Sequence, residues 1–200
     1  HSGIDFEALG RVAVKTVLLG QSSSGGASTI TQQLAKLLFT GRAANSISKR
    51  VFQKLKEWII AVRLERRYTK KEIIAMYFNI YDFNNNADGI RSAARIYFGK
   101  EPKDLKIEES AMLVGMFKNS ALYNPRRNVE GVTNRRNVVL GQMYKNGFIE
   151  ERTKDSLQAI PLEIDYHPES HSQGTATYFR MYLQDWLKKW AAEEENRKEQ

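Results

Sequence analysis

Residues 25–36 read GGASTITQQLAK, a glycine pair that leads into a segment with helical spacing. At 100° per residue its side chains divide into two sides. The apolar side holds Ile30, Leu34, Leu37 and Leu38. The polar side holds Thr29, Gln32, Gln33 and Lys36. We therefore predict a helix over residues 28–39 whose apolar side packs into the protein and whose polar side presents hydrogen-bonding groups.

The start of this helix has features of an anion site. Thr29 and Gln32 stand three residues apart, as in a capping box, and the preceding SSSGG is a flexible entry that permits close approach of a ligand to the backbone. A helix N-terminus with a lysine nearby attracts negative charge. The alternative is an ordinary surface helix that follows a serine- and glycine-rich loop.

Composition indicates a globular chain with an anionic partner. The 200 residues are 42% hydrophobic and 10% aromatic, which suffices for a packed core. Lysine and arginine number 31 against 23 acidic residues, a net charge of +8. This balance favours nucleic acid, a phospholipid surface or a phosphorylated substrate, and charge alone does not choose among them.

Several kinds of chemistry are excluded by residue type. No cysteine is present, so there is no disulfide, thiolate nucleophile or cysteine-bound zinc. The only histidines are His1, His167 and His171, and they form neither an HExxH motif nor a Ser/His/Asp set. Catalysis must fall to carboxylates, lysines, arginines and amides. No apolar run is long enough to span a membrane and the first residue is not Met, so we expect any anchor or signal peptide to lie upstream.

Periodicity predicts a mainly α domain. The predicted helices are 5–19, 28–39, 48–67, 70–78, 88–98, 106–118, 132–146, 150–158 and 175–192. Thr69 and Glu72 match a capping box, while Gly99 and Gly147 are placed to end helices. Leu162, Ile164 and Tyr166 alternate and predict one small strand. We expect the compact domain to cover 1–165, followed by a connector and amphipathic helix over 166–200.

One lysine and glutamate pair is a candidate for chemistry. Lys54 and Glu57 lie three residues apart on a helix that we expect to pack through Val51, Leu55, Trp58, Ile59 and Val62. That spacing lets the two charged side chains meet. The alternative is a surface ion pair worth about 0.2–0.5 kcal/mol. Glu65, two turns further on, is a competing carboxylate that spacing alone does not exclude.

Four further segments carry small residues or cations. Residues 88–100, DGIRSAARIYFGK, have small side chains that let a helix pack closely. Residues 114–118, VGMFK, place Lys118 at the end of an apolar helix, where it complements the helix dipole. YNPRR at 123–127 and NRRNVVL at 134–140 add four arginines able to bind phosphate through paired hydrogen bonds.

The order of these motifs resembles a known family. GGASTITQQLAK, KLKEW at 54–58, KKEIIAMYFN at 70–79, DGIRSAARIYFGK, VGMFK and YNPRR…NRRNVVL are similar to the peptidoglycan glycosyltransferase module of class A penicillin-binding proteins, glycosyltransferase family 51. The resemblance runs from His1 to about residue 165. It implies a lysozyme-like helical fold with a large lobe and a smaller membrane-facing jaw. It also implies polymerisation of lipid II with inversion and loss of undecaprenyl pyrophosphate.

The resemblance also implies site residues. Glu57 matches the second catalytic glutamate, which assists the leaving pyrophosphate, and Lys54 neighbours it in that motif. The other residues that match the donor sugar-pyrophosphate site are Ser28, Thr29, Gln33, Lys36, Lys118 and Arg135. No metal site is expected and no cofactor is required, although a divalent cation such as Mg²⁺ is an option. The implied partners are lipid II, the growing glycan and a membrane surface at the outer face of the bacterial cytoplasmic membrane, reached through the jaw and an upstream transmembrane helix.

The chain departs from the family pattern in several places. The family's general base is a glutamate shortly before His-x-Gly, and this chain begins at His1-Ser2-Gly3, so we expect it to bind substrate but hardly to polymerise it. Gln53 stands where many members have arginine, and Leu37 where asparagine is common. The link from Lys36 to Glu57 is longer than usual, and we expect Leu37, Leu38 and Phe39 to lead toward lipid. No SxxK, SxN and KTG set of a transpeptidase occurs, so we expect a piece of a bifunctional enzyme.

Two other functions compete with this interpretation. A lytic transglycosylase or lysozyme shares the fold class but cleaves glycan, and it does not require an array of pyrophosphate-binding cations. A basic nucleic-acid-binding protein would need a recognition helix and a basic stripe, whereas the cations here alternate with acids along most helices. Both functions are less consistent with the sequence than glycan synthesis.

Overall fold

The computed structural model describes residue 3 and residues 28–41, 46–168 and 177–198. Within these residues there are eight α-helices. They are α1 (Ile30–Ala35), α2 (Ile47–Arg67), α3 (Lys70–Ile80), α4 (Gly89–Phe98), α5 (Ile107–Met116), α6 (Val129–Lys145), α7 (Glu151–Ala159) and α8 (Thr177–Lys198). A π-helical turn, Lys36–Thr40, follows α1, and a 3-10 turn, Pro102–Asp104, precedes α5. The predicted mainly α class is confirmed, and the predicted helix 5–19 lies outside the described residues.

Local capping explains where the helices begin and end. Thr69 and Glu72 form the expected capping box at the start of α3. Gly99 ends α4 in the left-handed conformation with φ +61°. Helix α6 starts three residues earlier than predicted, because the side chain of Asn128 accepts a hydrogen bond from the backbone of Gly131 and caps the helix there.

The main core lies between α4, α5 and α6. Its fully buried members include Phe83, Ile96, Tyr97, Leu113 and Val132. The small residues predicted to allow close packing do so: a Cβ on Gly89 would lie 2.5 Å from the carbonyl oxygen of Asn79, so only glycine fits at this contact.

The segment that follows α7 corrects one prediction. Leu162, Ile164 and Tyr166 do alternate toward the main core, as their spacing indicates. Their backbone nevertheless pairs with the end of α4, where Asp165 N donates to Tyr97 O at 3.0 Å and His167 N donates to Ile96 O at 2.7 Å. A helix end offers only a few free carbonyls, so the segment is extended without becoming a strand.

A second, smaller core joins α1 to α3. It contains Leu34, Ile73 and Tyr77, and α1 also packs against α2. The prediction of which side of α1 is buried is correct only for Leu34. Ile30, Leu37 and Leu38 are exposed, and the buried residues are instead Thr31, Gln32 and Ala35. Short helices bury whichever side meets their neighbours, and here that side carries polar groups with hydrogen-bond partners.

The apolar face of α2 is also placed differently from the prediction. Val51, Leu55 and Ile59 are exposed, Ile59 by 58%, and Phe52 lies on the same face. In helix α8, residues 181–190 are exposed as well, and so is Tyr178, at 91%. Among the described helices, none is long and apolar enough to cross a membrane.

The loop between α3 and α4 has an unusual backbone. Asn84, Asn85 and Asn86 have φ values of +63°, +54° and +64°. Asparagine tolerates this left-handed region better than most residues. The loop is fixed by Asn85, whose amide nitrogen donates to Tyr97 Oη at 2.9 Å and to Asn124 Oδ1 at 3.3 Å.

Candidate active site

An open cleft of about 400 Å³ lies where α1, its π-helical turn, α2, α3 and the end of α5 meet. It is lined by Ser28, Gln32, Gln33, Lys36, Leu37, Lys54, Tyr77, Tyr81, Phe117 and Lys118. Five of the predicted site residues are among them, namely Ser28, Gln33, Lys36, Lys54 and Lys118. The fold therefore brings together side chains that are far apart in the sequence.

Lys54 connects the cleft to a buried carboxylate. Its Nζ donates to Glu57 Oε2 at 2.5 Å and to Ser28 Oγ at 3.1 Å. The prediction that Lys54 and Glu57 meet is confirmed. Glu57 is only 3% exposed, whereas Lys54 is 45% exposed and reaches the cleft. A buried carboxylate needs such a partner, because burial of an unpaired charge is costly.

Glu65, the competing carboxylate, has different neighbours. It accepts hydrogen bonds from Thr31 Oγ1 and Lys70 Nζ, and it is absent from the cleft lining. Burial alone would raise the pKa of Glu65, but the hydrogen bonds from Lys70 and Thr31 outweigh that effect and leave its pKa lowered. The two carboxylates that spacing could not separate thus occupy distinct sites, and only Glu57 adjoins the cleft through Lys54.

Thr29 holds the backbone rather than lining the cleft. Its Oγ1 accepts from Gln32 N at 3.2 Å and donates to Gly3 O at 2.9 Å. Gln32 Nε2 donates to the same carbonyl at 3.1 Å. The expected capping box is therefore half formed, because the Gln32 side chain binds Gly3 instead of the Thr29 backbone. These two residues fix residue 3 against α1.

Arg135 approaches the cleft from outside its lining. Its Nε donates to Gly115 O at 3.3 Å, in the last turn of α5, where a cation complements the helix dipole. The Arg135 guanidinium carbon and Lys118 Nζ each lie 6.0 Å from the centre of the Tyr123 ring. Two of the predicted phosphate-binding cations therefore lie near the same aromatic ring.

Two of the other arginines have structural partners. Arg136 is fully buried and donates to Asn137 Oδ1 and to the carbonyls of Gln158 and Ile160, so it joins α6 to the end of α7. Arg126 lies 4.2 Å from the centre of the Tyr166 ring. The expectation that four arginines are free to bind phosphate is wrong for Arg136, because its donors are used inside the protein.

The aromatic part of the cleft was not predicted from the sequence. Tyr77 and Tyr81 stand four residues apart and line the cleft together with Phe117. Tyr77 Oη donates to Gln33 Oε1 at 2.8 Å, and Tyr81 Oη donates to Met116 O at 2.9 Å. Burial, with a smaller contribution from Tyr81, raises the pKa of Tyr77 to about 12. The spacing of the two tyrosines was the available signal, since residues four apart at the C-terminal end of α3 lie on the same side of the helix axis.

The charge of the site suits an anion. Three lysines line the cleft and its lining contains no acidic residue, while Glu57 lies behind Lys54. Hydrogen bonds from ammonium groups to phosphate oxygens are strong, and amide and hydroxyl groups complete such a site. Within the part of the chain that the structure describes, no group of three or more His, Asp or Glu side chains could hold a metal ion. The ammonium groups of Lys36, Lys54 and Lys118 can neutralise the charge of an anionic ligand in this cleft.

Comparison with known proteins places this chain in a family. The family model described as Transglycosylase matches residues 1–144. The chain belongs to the transglycosylase family. This is the glycosyltransferase domain found in class A penicillin-binding proteins, as the order of motifs predicted.

Several penicillin-binding proteins are similar to this member of the transglycosylase family. Penicillin-binding protein 1A of Vibrio cholerae is 41% identical over 167 residues, which is 84% of this chain and 20% of the relative. The Pseudomonas aeruginosa protein 1A is 37% identical over 171 residues, 85% of this chain and 20% of the relative. Penicillin-binding protein 1F of Bacillus subtilis is 34% identical over 185 residues, 92% of this chain and 25% of the relative.

The crystal structure of penicillin-binding protein 1A from Haemophilus influenzae is also similar, with 22% identity and a TM-score of 0.45. The similarity covers 63% of this chain and 19% of that chain. The present chain therefore spans about a fifth to a quarter of the length of the sequence relatives described above.

Proposed function

We propose that this transglycosylase domain polymerises lipid II into peptidoglycan glycan strands. The observation that carries the proposal is the contact of Lys54 with Glu57, which places a buried carboxylate and its cation beside a cleft lined by Lys36 and Lys118. A lipid pyrophosphate is the kind of anion that such a cleft would bind. Membership of the family supports the same reaction.

The proposed reaction is an inverting glycosyl transfer. The 4-hydroxyl of an incoming GlcNAc attacks the anomeric carbon of MurNAc at the end of the growing chain. A new glycosidic C–O bond forms while the bond to the pyrophosphate oxygen breaks, and undecaprenyl pyrophosphate leaves with the bonding electrons. The hydroxyl proton passes to the general base, the glutamate that precedes His-x-Gly in the family.

In this reaction the cleft stabilises the leaving group. Lys54, held by Glu57, reaches the cleft and neutralises charge as it develops on the pyrophosphate. Lys36 and Lys118 bind its oxygens, with Ser28 and Gln33 as further hydrogen-bonding groups and Arg135 as a more distant cation. Thr29 supports the site by capping α1. No cofactor is required in this scheme, and a divalent cation such as Mg²⁺ would be an option.

An exposed apolar surface beside the cleft fits a membrane-bound substrate. Leu37, Leu38 and Phe39 in the π-helical turn are exposed, Phe39 by 63%, and the exposed face of α2 adds Phe52 and Ile59. We propose that this surface is the membrane-facing jaw of a lysozyme-like fold and that α4, α5 and α6 form the large lobe. The domain then works at the outer face of the bacterial cytoplasmic membrane, in a longer bifunctional enzyme whose glycosyltransferase part covers residues 1–165.

The proposal is tested by incubating fluorescent lipid II in detergent with two proteins. One is the chain itself, and the other is a version extended at its N-terminus by the family's glutamate-bearing segment. We expect the chain to bind lipid II with little product and the extended version to give a ladder of lengthening glycan on a gel. EDTA added to the same reaction tests the need for a divalent cation.

Two results would favour the competing functions. Shortening of preformed glycan strands, with lipid II unchanged, would indicate a lytic enzyme of the same fold class. Tight binding of duplex DNA at moderate salt, with lipid II binding unaffected by Lys36→Ala, would indicate a nucleic-acid-binding protein. Either result would contradict the proposed synthesis of glycan.

A further inference from the structure

The π-helical turn after α1 brings Thr40 toward the interior. In this turn Gly41 N donates to Lys36 O, five residues back, at 2.9 Å, whereas an α-helix joins residues four apart. Leu38 and Phe39 point outward and are exposed, but Thr40 is half-buried. Turns of this kind change the direction of one side chain within a helix, and π-bulges are frequent at functional sites.

The hydroxyl of Thr40 reaches the buried carboxylate behind the cleft. Its Oγ1 lies 3.3 Å from Glu57 Oε1 and 3.3 Å from Lys36 O. One hydroxyl hydrogen serves one of these acceptors at a time, and an ionised carboxylate is a stronger acceptor than a carbonyl. We propose that Thr40 is a positioning residue, whose hydroxyl donates to Glu57 Oε1 and fixes the orientation of the carboxylate.

The two oxygens of the Glu57 carboxylate have different donors, and together these donors fix the plane of the carboxylate. Lys54 holds only Oε2 of Glu57, and a carboxylate held at one oxygen still rotates about the terminal bond of its side chain. Thr40 on Oε1 stops that rotation. The turn is itself tied to α2, because Gln53 Nε2 donates to Thr40 O at 3.4 Å. Correct orientation of a catalytic group lowers the barrier without a change in substrate affinity.

This inference rests on the proposed function for its effect on turnover, but the contact itself is tested independently. Thermal unfolding of the chain is measured for Thr40→Val, Glu57→Ala and the double variant. We expect Thr40→Val to lower the Tm by about 2–4 °C when Glu57 is present and by less than half of that in the Glu57→Ala background. Equal shifts in both backgrounds would overturn the proposed contact.

A matched control separates this contact from ordinary helix bonding. Thr133 Oγ1 donates to Val129 O at 2.8 Å, four residues back, which is also the spacing between Thr40 and Lys36, whose carbonyl competes with Glu57 for the Thr40 hydroxyl. Thr133→Val therefore removes a bond of the same local kind at a position outside the cleft. We expect its effect on the Tm to be the same with and without Glu57.

The effect on turnover is measured in the N-terminally extended version used for polymerisation. We expect Thr40→Val to lower kcat about tenfold with KM for lipid II changed by less than about twofold. Thr40→Ser should restore kcat, and Thr133→Val should leave it unchanged. An unchanged kcat in Thr40→Val, or an equal loss in Thr40→Ser, would refute the positioning role. If the parent protein forms no glycan, the proposed function fails and the turnover part of this proposal with it, while the thermal cycle still decides the contact.

Discussion

Tyr77 on α3 donates its phenolic hydrogen to Oε1 of Gln33 on α1, at 2.8 Å and across 44 positions of sequence. This bond joins two walls of the cleft through a pair of uncharged groups. Because the pKa of Tyr77 is raised to about 12, the phenol stays protonated and keeps donating at any physiological pH. The shape of the cleft is therefore insensitive to moderate changes in pH at this contact.

Replacement of Tyr77 by phenylalanine tests the importance of this bond. We expect Tyr77→Phe to lower the free energy of unfolding by about 1 kcal/mol, because Gln33 loses a partly buried hydrogen bond while the ring packing remains. Urea unfolding followed by circular dichroism measures the change. Tyr178→Phe, at an exposed position of α8, is the control and should have no measurable effect. Equal stability of Tyr77→Phe and the parent would show that the bond does not hold the walls together.

The contribution of Lys54 to substrate binding can be compared with that of a neighbouring lysine. Lys54 reaches the cleft, whereas Lys56 Nζ lies 4.7 Å from the centre of the exposed Phe52 ring. We expect Lys54→Gln to weaken lipid II binding about tenfold, since a charge-assisted hydrogen bond to phosphate is lost. Lys56→Gln should change the affinity by less than about twofold. A fluorescence titration with labelled lipid II measures both, and similar losses would mean that general positive charge, rather than the cleft, governs binding.

Substitution by alanine should have opposite effects on stability at two of the glycines. Gly3 has φ +88°, and a Cβ there would lie 3.0 Å from the backbone of Ala61, so Gly3→Ala should cost about 1–3 kcal/mol of stability. Gly141 lies inside α6 with open space around its Cα, and Gly141→Ala should add about 0.5–1 kcal/mol. Chemical denaturation of both variants provides the comparison. A Gly3→Ala protein as stable as the parent would argue against the close packing of residue 3 that the hydrogen bonds from Thr29 and Gln32 maintain.

The partly buried carboxylate of Glu65 leads us to predict that stability depends on pH. Its pKa in the folded protein is lowered from the ordinary value of 4.5, so the folded state favours the charged form. The stability that Glu65 contributes is fully present above about pH 4.5 and is lost as the pH falls through the lower, folded value.

The measurement is urea unfolding of the parent and of Glu65→Gln from about pH 3 to pH 7. The difference between them should be constant in the upper part of this range and should shrink at the acid end. Glu163→Gln, on the exposed segment after α7, serves as the control. If the difference in unfolding free energy between the parent and Glu65→Gln grew on acidification, Lys70 and Thr31 would not be partners that favour the charged carboxylate.

Much of the helical framework could be predicted because its signals are local. Capping at Thr69 and the glycine at position 99 mark helix ends within a few residues of chain, and periodicity marks what lies between them. The pairing of Lys54 with Glu57 was predictable for the same reason, since residues three apart on a helix are neighbours.

What could not be predicted depends on contacts between distant segments. The buried side of α1 is polar because Thr31 meets Glu65 and Gln32 meets Gly3, and neither partner lies near it in sequence. The aromatic side of the cleft likewise needs α3 to meet the end of α5, and the role of Arg136 needs α7 to return onto α6. Residue spacing carries no information about contacts between distant segments. The identities of the charged site residues could therefore be predicted, whereas the residues that pack around them could not.

The three asparagines at positions 84, 85 and 86 have a consequence for chemical synthesis of the domain. Their backbone lies in the region that L-residues disfavour and that mirror-image residues prefer, because inversion at Cα reverses the steric clash with the carbonyl oxygen. Asn86 is the exposed member of the three, so a D-alanine there would meet solvent rather than a packed neighbour. The loop is thus a place where a reversal of chirality would relieve strain in the native backbone instead of creating it.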